Sequence, residues 1–187
     1  MSHEFRKNKL FGFLTVISPP EPIMSHINHL KQGFYEKYGH YNGRFSKPHI
    51  TICNFPLLSQ RIEKVFSSLK SGLSELSPFQ IQLNGFKSFK NSNVIYIDIE
   101  NSKQLMLFRK KLIYMNVDLR LGKRFFLFDN PHLTIAKNLP NDIFESAKID
   151  FLSRSFQSQF IVDKLTVLRY DLDEEKYFHF CDLPFGE

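Results

Sequence analysis

The chain has 187 residues and a mass of 22.1 kDa, room for one ordinary domain or two small lobes around a shared core, since soluble domains cluster near about 100–150 residues. Apolar residues at 42% and charged residues at 24% exclude disordered, collagen-like and coiled-coil classes. A formal charge of +6, from 25 Lys and Arg against 19 Asp and Glu, favours an anionic partner such as RNA, a nucleotide or phosphate.

Two cysteines, Cys53 and Cys181, are too few for a disulfide framework and neither belongs to a C-x-x-C pair. No apolar run approaches the ~18–20 residues of a membrane span, and the opening MSHEFRKNKL lacks the apolar region of a secretory signal, so a cytoplasmic protein is expected. Phe is frequent, at 21 residues, with no Trp; core packing is the default use for these rings.

The run Lys9 to Ile17 reads as a strand ending at Ser18-Pro19-Pro20-Glu21. Ser18 and Glu21 form a candidate capping box with Pro19 at the first helical position. Ile23, Ile27, Leu30, Phe34 and Tyr38 then make one stripe of an amphipathic helix that Gly39 terminates. After a loop from His40 to Lys47 come a strand (His49 to Phe55), a helix from Ser59 and a strand from Phe79 to Phe86. The second half gives a strand from Asn93 to Ile99, a helix from Ser102, a strand from His132 to Ala136, a helix from Asn141 and a strand from Phe156 to Val162. Lys164 to Tyr170 and Lys176 to Leu183 close the chain as a hairpin around Asp171-Leu172-Asp173-Glu174-Glu175.

The first strands start at 9 and 93, the first helices at 19 and 102 and the later helices at 59 and 141, so corresponding elements are 84, 83 and 82 residues apart. This near-constant offset predicts two related units, roughly 9–86 and 93–162, with the 164–183 hairpin added. The final strands, at 79 and 156, are 77 apart, so the match decays there.

Pro48-His49-Ile50-Thr51-Ile52 reappears as Pro131-His132-Leu133-Thr134-Ile135, with the histidines 83 residues apart. On a strand of period two, His49 and Thr51 share one face and Ile50 and Ile52 the other; His132 and Thr134 are placed likewise. Related units would present one His and one Thr each to a shared cleft. Such a pair suits in-line displacement at phosphorus: one imidazole takes the nucleophile's proton and the other protonates the departing oxygen. The threonine hydroxyls donate to the non-bridging oxygens. A lone His-x-Thr is usually structural, but core packing gives no reason to put a titratable group at the same site of both units.

These motifs, PHITI and PHLTI, with LFGFLTVISPPEP, VIYIDI and KLTVLRYDLDEEKYFHFCDLPF, resemble the two-histidine phosphoesterase superfamily, which includes 2′-5′ RNA ligase-like proteins and cyclic nucleotide phosphodiesterases. The resemblance implies a bilobal α+β fold in one domain, with antiparallel-rich sheets facing across a central groove and helices outside. It implies His49 and His132 as the acid and base pair, in an order left open, and Thr51 and Thr134 as phosphate-oxygen ligands. It also implies an RNA or nucleotide substrate with a cyclic or 2′-5′ phosphodiester, opened by hydrolysis or joined by the reverse reaction. No metal or other cofactor is expected, nor a membrane, and the chain is expected to be a monomer. Many ligase-like members carry Arg five residues after the second histidine; here Lys137 stands there, keeping the charge but losing the planar fork. Strict alternation turns Lys137 away from the cleft unless the strand ends or bulges.

Arg44, Lys47, Lys123 and Arg124 precede the motifs and are candidates for the groove entrance, with ordinary solubilising surface as the alternative. Phe11 or Phe13 is a candidate for stacking a base, core packing being favoured for at least one. Cys53 shares parity with the motif but reads as a small packing residue. His26 and His29 have a metal-compatible spacing with no third ligand nearby, and His3, His40 and His179 have no evident partner. No Gly-rich nucleotide-binding loop is present, and the acidic 171–175 stretch lacks the spacing of a calcium loop. The alternative to an enzyme is a module that binds a nucleotide or RNA end in the same groove without turnover.

Overall fold

A computed structural model describes residues 9–186; the candidate His3 lies outside them. The first strand, β1 (Leu10–Ile17), leads to α1 (Glu21–Tyr38). The helix begins at Pro20, with no side-chain cap, and the backbone N–H groups of Ile23 and Met24 donate to the Pro20 carbonyl at 3.0 Å. The expected Ser18 cap is thus displaced by two residues. Pro20 itself is extended, at φ −67° and ψ 161°, so the helix begins only after it, and it is Pro22 that occupies the first turn. Gly39, at φ 82°, ends the helix with its N–H on the Tyr35 carbonyl, a left-handed turn that favours glycine.

The chain continues through β2 (Ile50–Leu58), α2 (Ile62–Ser74), β3 (Phe79–Phe89), β4 (Val94–Ile99) and α3 (Lys103–Asp118). There follow β5 (Phe126–Leu127), β6 (Leu133–Ala136), α4 (Asn141–Leu152), β7 (Gln157–Val162), β8 (Lys164–Asp171) and β9 (Lys176–Pro184). Ser102 caps α3, its hydroxyl accepting from the Leu105 N–H at 3.1 Å. The β8–β9 turn is held by Asp171, whose carboxylate accepts from the N–H groups of Asp173 and Glu174.

The fold is α+β, with a curled antiparallel sheet in the order β7-β3-β4-β6-β2-β1-β8-β9 and β5 added beside β2. Two four-stranded halves meet at β6 and β2, joined through the pair Leu133 and Ile50. On either side of that junction β2 lies next to β1, and β6 next to β4. Strand β3 pairs with β4 and β7.

Each motif strand carries a bulge immediately after its threonine. Val16 pairs with Thr51 and Thr15 with Cys53, leaving Ile52 extra; Tyr96 pairs with Thr134 and Ile95 with Ala136, leaving Ile135 extra. A bulge shifts the alternation by one residue, so Ile52 and Cys53 are both buried, as are Ile135 and Ala136.

The core lies between the sheet and the helices, with Ile50, Ile52, Leu133 and Ile135 on its sheet side and Ile27, Phe34, Leu69, Phe108 and Phe144 among its helical side chains. Phe13 belongs to it: 1% exposed, its ring lies 4.9 Å from Phe66, 5.2 Å from Phe180 and 5.9 Å from Phe55. A base-stacking role for Phe13 is therefore excluded, because its face is already covered by carbon. Phe13→Ala is expected to destabilise the fold by about 3–5 kcal/mol, whereas Phe126→Ala, at a ring 53% exposed, should change stability by no more than about 0.5 kcal/mol; urea unfolding measures both.

Candidate active site

The β2–β6 junction sets the site. The two strands run antiparallel and pair at Ile50 and Leu133. Carrying that register one residue each way puts His49 across from Thr134 and Thr51 across from His132, and residues directly opposite share a face. Ile50 and Leu133 are completely buried on the core side, while all four motif side chains are half-buried on the other. Histidine and threonine thus alternate around a pseudo-two-fold axis through the Ile50–Leu133 pair.

Both imidazoles are held in the same way. His49 Nδ1 lies 2.7 Å from the Lys47 carbonyl and His132 Nδ1 lies 2.8 Å from the Asn130 carbonyl. A carbonyl only accepts, so Nδ1 carries the proton in each ring and Nε2 is left as the atom that gains or loses one. The prolines between them, Pro48 and Pro131, matter here. Proline disfavours the α region for Lys47 and Asn130 and adds no N–H of its own, leaving those carbonyls to the rings.

Burial pushes both imidazolium groups below the usual histidine range, opposed by the carbonyl hydrogen bonds. His49 is lowered further by the positive charges of Lys31 and Lys137 and by His132. His132 is packed by aromatic rings, Phe89 at 4.9 Å and Tyr96 at 5.0 Å, which stack on each other at 4.3 Å.

Lys137 follows the β6 bulge. It is exposed, its backbone bridges to Asn42, and its stem runs past Gly43, where a Cβ would sit 3.7 Å from the lysine Cε. The bulge reverses the orientation that strict alternation gives, and Lys137 is close enough to His49 to depress its protonation.

The other candidates scatter. Phe11 is opposite Leu57, six residues beyond Thr51 and so on the order of 20 Å along the strand; it sits between Lys9 and Arg169 at 5.2 and 5.3 Å. A stacking role for Phe11 at the histidines is thereby excluded. Arg44 lies against α1, its guanidinium 3.3 Å from the Tyr35 ring centre and donating to Gln32 Oε1 at 3.0 Å. Lys47 touches the site through its carbonyl, and Lys123 and Arg124 are exposed on the loop before β5.

Cys53 is buried; its thiol lies 3.0 Å from the Thr15 hydroxyl and burial pushes it up to about 12, which makes it inert as a nucleophile. His26 packs 5.1 Å from the Phe156 ring and His29 Nδ1 donates to the Ser25 carbonyl. Among the described residues no three His, Cys, Asp or Glu side chains gather as a metal-binding group.

Three features had not been expected from the sequence. The Phe89–Tyr96 stack walls His132. Phe126, exposed and with half-buried Phe128 edge-on at 4.9 Å, lies beside β2 opposite Asn54. Lys31 is buried on α1.

The sequence model of the 2′-5′ RNA ligase superfamily matches residues 19–174. The chain belongs to that superfamily. Membership gives it phosphoesterase chemistry of the 2′-5′ RNA ligase kind as its class of activity. A protein of Oceanobacillus iheyensis, named provisionally as a phosphoesterase, is 27% identical over 163 residues, 86% of this chain and 90% of its own length. The superfamily fold is seen in Escherichia coli LigT, with TM-score 0.70 at 16% identity over 96% of this chain and 99% of LigT. It is seen again in Thermus thermophilus TT0787, with TM-score 0.66 at 18% identity over 94% and 98%. LigT has been solved with 3′-AMP, NADP+, ATP and phosphate.

Proposed function

We propose that this chain opens 2′,3′-cyclic phosphates at RNA or nucleotide ends, with water as the nucleophile in hydrolysis and a 5′-hydroxyl as the nucleophile when such ends are joined in 2′-5′ linkage. The reading is carried by one observation: two His-x-Thr strands meet in register at β2 and β6, each imidazole with Nδ1 bound to its own backbone and Nε2 free for proton transfer. In hydrolysis water attacks phosphorus in line. One Nε2 takes the water's proton, and the other, as imidazolium, protonates the leaving ribose oxygen, so a phosphomonoester and a free hydroxyl result. Thr51 and Thr134 donate to the non-bridging oxygens as their charge grows, and Lys137 adds positive potential beside His49. In the joining direction a 5′-hydroxyl takes the place of water and the 3′-oxygen departs. LigT binds nucleotides and phosphate, which agrees with an anionic nucleotide ligand.

The test is incubation with nucleoside 2′,3′-cyclic phosphates and short cyclic-ended RNA in EDTA, following monoester formation. Turnover is expected; a chain that binds these substrates but converts none is the binding module instead.

The pH profile carries a second expectation. A depressed imidazolium pKa means that the neutral form persists to lower pH, and both histidines are depressed by burial. Both limbs of the bell for kcat/KM therefore fall below the ordinary histidine value of about 6.5. Lys137→Met removes one charge that lowers His49, so one limb should move to higher pH. Movement of the basic limb assigns His49 as the acid; movement of the acidic limb assigns it as the base. A profile unmoved by Lys137→Met overturns the electrostatic coupling.

A further inference from the structure

We propose that the cavity between α1 and the turn before His49 is a second phosphate subsite, taking a phosphate that flanks the reacting one on the same substrate. The proposal rests on the cyclic phosphodiesterase reading and extends it to a substrate class: 2′,3′-cyclic ends that carry a further phosphate, as in an oligonucleotide or a 5′-phosphorylated nucleotide.

The cavity, about 330 Å³, is lined by Lys31, Arg44 and Lys47 with the amides of Asn28 and Gln32, and by Phe45. Three cations face it and, among the described residues, no carboxylate does. Lys31 is the decisive member. It is only 2% exposed, and its ammonium donates to the Ser46 carbonyl at 2.5 Å and to the Ser46 hydroxyl at 3.1 Å, which leaves one of its three protons without an acceptor among the described residues. No carboxylate lies within ion-pair distance of it among the described residues. A buried charge without a counter-ion costs stability, and a lysine placed only for solubility has no reason to be inside. Its pKa is pushed down to about 8, first by burial and then by Lys137, the strain a bound anion relieves.

Arg44 and Lys47 complete the arrangement. The Arg44 guanidinium is stacked on Tyr35 and lies 4.8 Å from the ring centre of Phe45, and one of its N–H groups goes to Gln32, so its plane is held while other donors remain for a phosphate. The Lys47 ammonium has no hydrogen bond or ion pair among the described residues. The subsite is also tied to the reacting centre: Lys47 gives its carbonyl to His49 Nδ1, and the charge of Lys31 reaches His49. These two links put the cavity on the side of His49.

Two measurements test this. The first compares kcat/KM for adenosine 2′,3′-cyclic phosphate with and without a 5′-phosphate; the 5′-phosphorylated form is expected to be favoured by about 10–100-fold, the scale of one or two charge-assisted hydrogen bonds. That ratio should fall towards one in Lys31→Met, which keeps the volume of the side chain, and in Lys47→Ala at an exposed site. The second is calorimetric binding of adenosine 3′,5′-bisphosphate against adenosine 3′-monophosphate, with the same preference and the same loss expected. A ratio near one in the wild type, or a preference kept in both variants, overturns the subsite. Absence of turnover on either cyclic substrate, with the binding preference intact, defeats the catalytic reading and leaves the subsite standing.

Discussion

Replacing either His49 or His132 by alanine is expected to lower kcat on a 2′,3′-cyclic substrate by about 10²–10⁴-fold, the usual contribution of a positioned general acid or base. The double variant should be little worse than the poorer single one, because the two rings serve one transition state and groups acting as a unit are not additive. Folding should survive, since both rings are half-buried and neither fills the core. The two variants differ in one respect. His132 contacts Phe89 edge-on and Tyr96 at a tilt, so His132→Ala loses aromatic contacts worth about 0.5–1.5 kcal/mol, while His49, whose protonation is opposed by burial and by Lys31 and Lys137, is a neutral, half-buried ring and His49→Ala should leave the melting temperature nearly unchanged. Parallel rate and melting measurements separate these effects. Single variants that keep more than a tenth of the wild-type rate would remove the paired-histidine mechanism.

Much of this site was legible because its chemistry repeats: two His-x-Thr runs at one offset, each on a strand whose other face is apolar. The bulges were legible too, though only in retrospect. Ile52-Cys53 and Ile135-Ala136 each put two apolar residues in succession after the threonine, and such a doubling is the trace a phase shift leaves in an alternating pattern. Strict alternation turns Lys137 away and puts Cys53 on the motif's face; the bulges reverse both, the exception that the sequence left open for Lys137. Lys31 escaped for a related reason. It stands four residues after Ile27 and three before Phe34, in the middle of the buried stripe of α1, yet a lysine reads as solvent by residue type; helical position outweighs residue type when the ammonium can reach acceptors such as the Ser46 carbonyl and hydroxyl.

Phe11 and Phe13 show the opposite limit. Their shared face follows from period two, but which end of a strand lies near the histidines depends on the pairing of distant segments. Strand β5 is too short, at two residues, to leave a periodic signal, so Phe126 could not be placed beside β2 in advance. The decay of the repeat offset at the final strands has a topological counterpart. Strand β3 joins β4 and β7, so its neighbours belong to the second stretch of sequence, and it is not bound to follow the spacing of the first.

Thr51→Val and Thr134→Val should each lower kcat by about 10²–10³-fold with little change in KM, the pattern of a donor whose bond strengthens only as charge develops on the phosphoryl oxygens. Valine keeps the shape and suits a strand, so packing against Val16 and Tyr96, the neighbours of Thr51 and Thr134 across the bulges, is preserved and a fall in rate reports the hydroxyl alone. Serine at either position keeps a hydroxyl and should recover most of the loss. The pseudo-two-fold arrangement makes a stricter demand. Each threonine lies opposite the histidine of the other strand, so the two hydroxyls serve equivalent oxygens and the two valine variants should differ by less than about tenfold. A large asymmetry, with one variant near wild type, would mean that phosphate is gripped from one side only and that the symmetric clamp is wrong even if both histidines are essential.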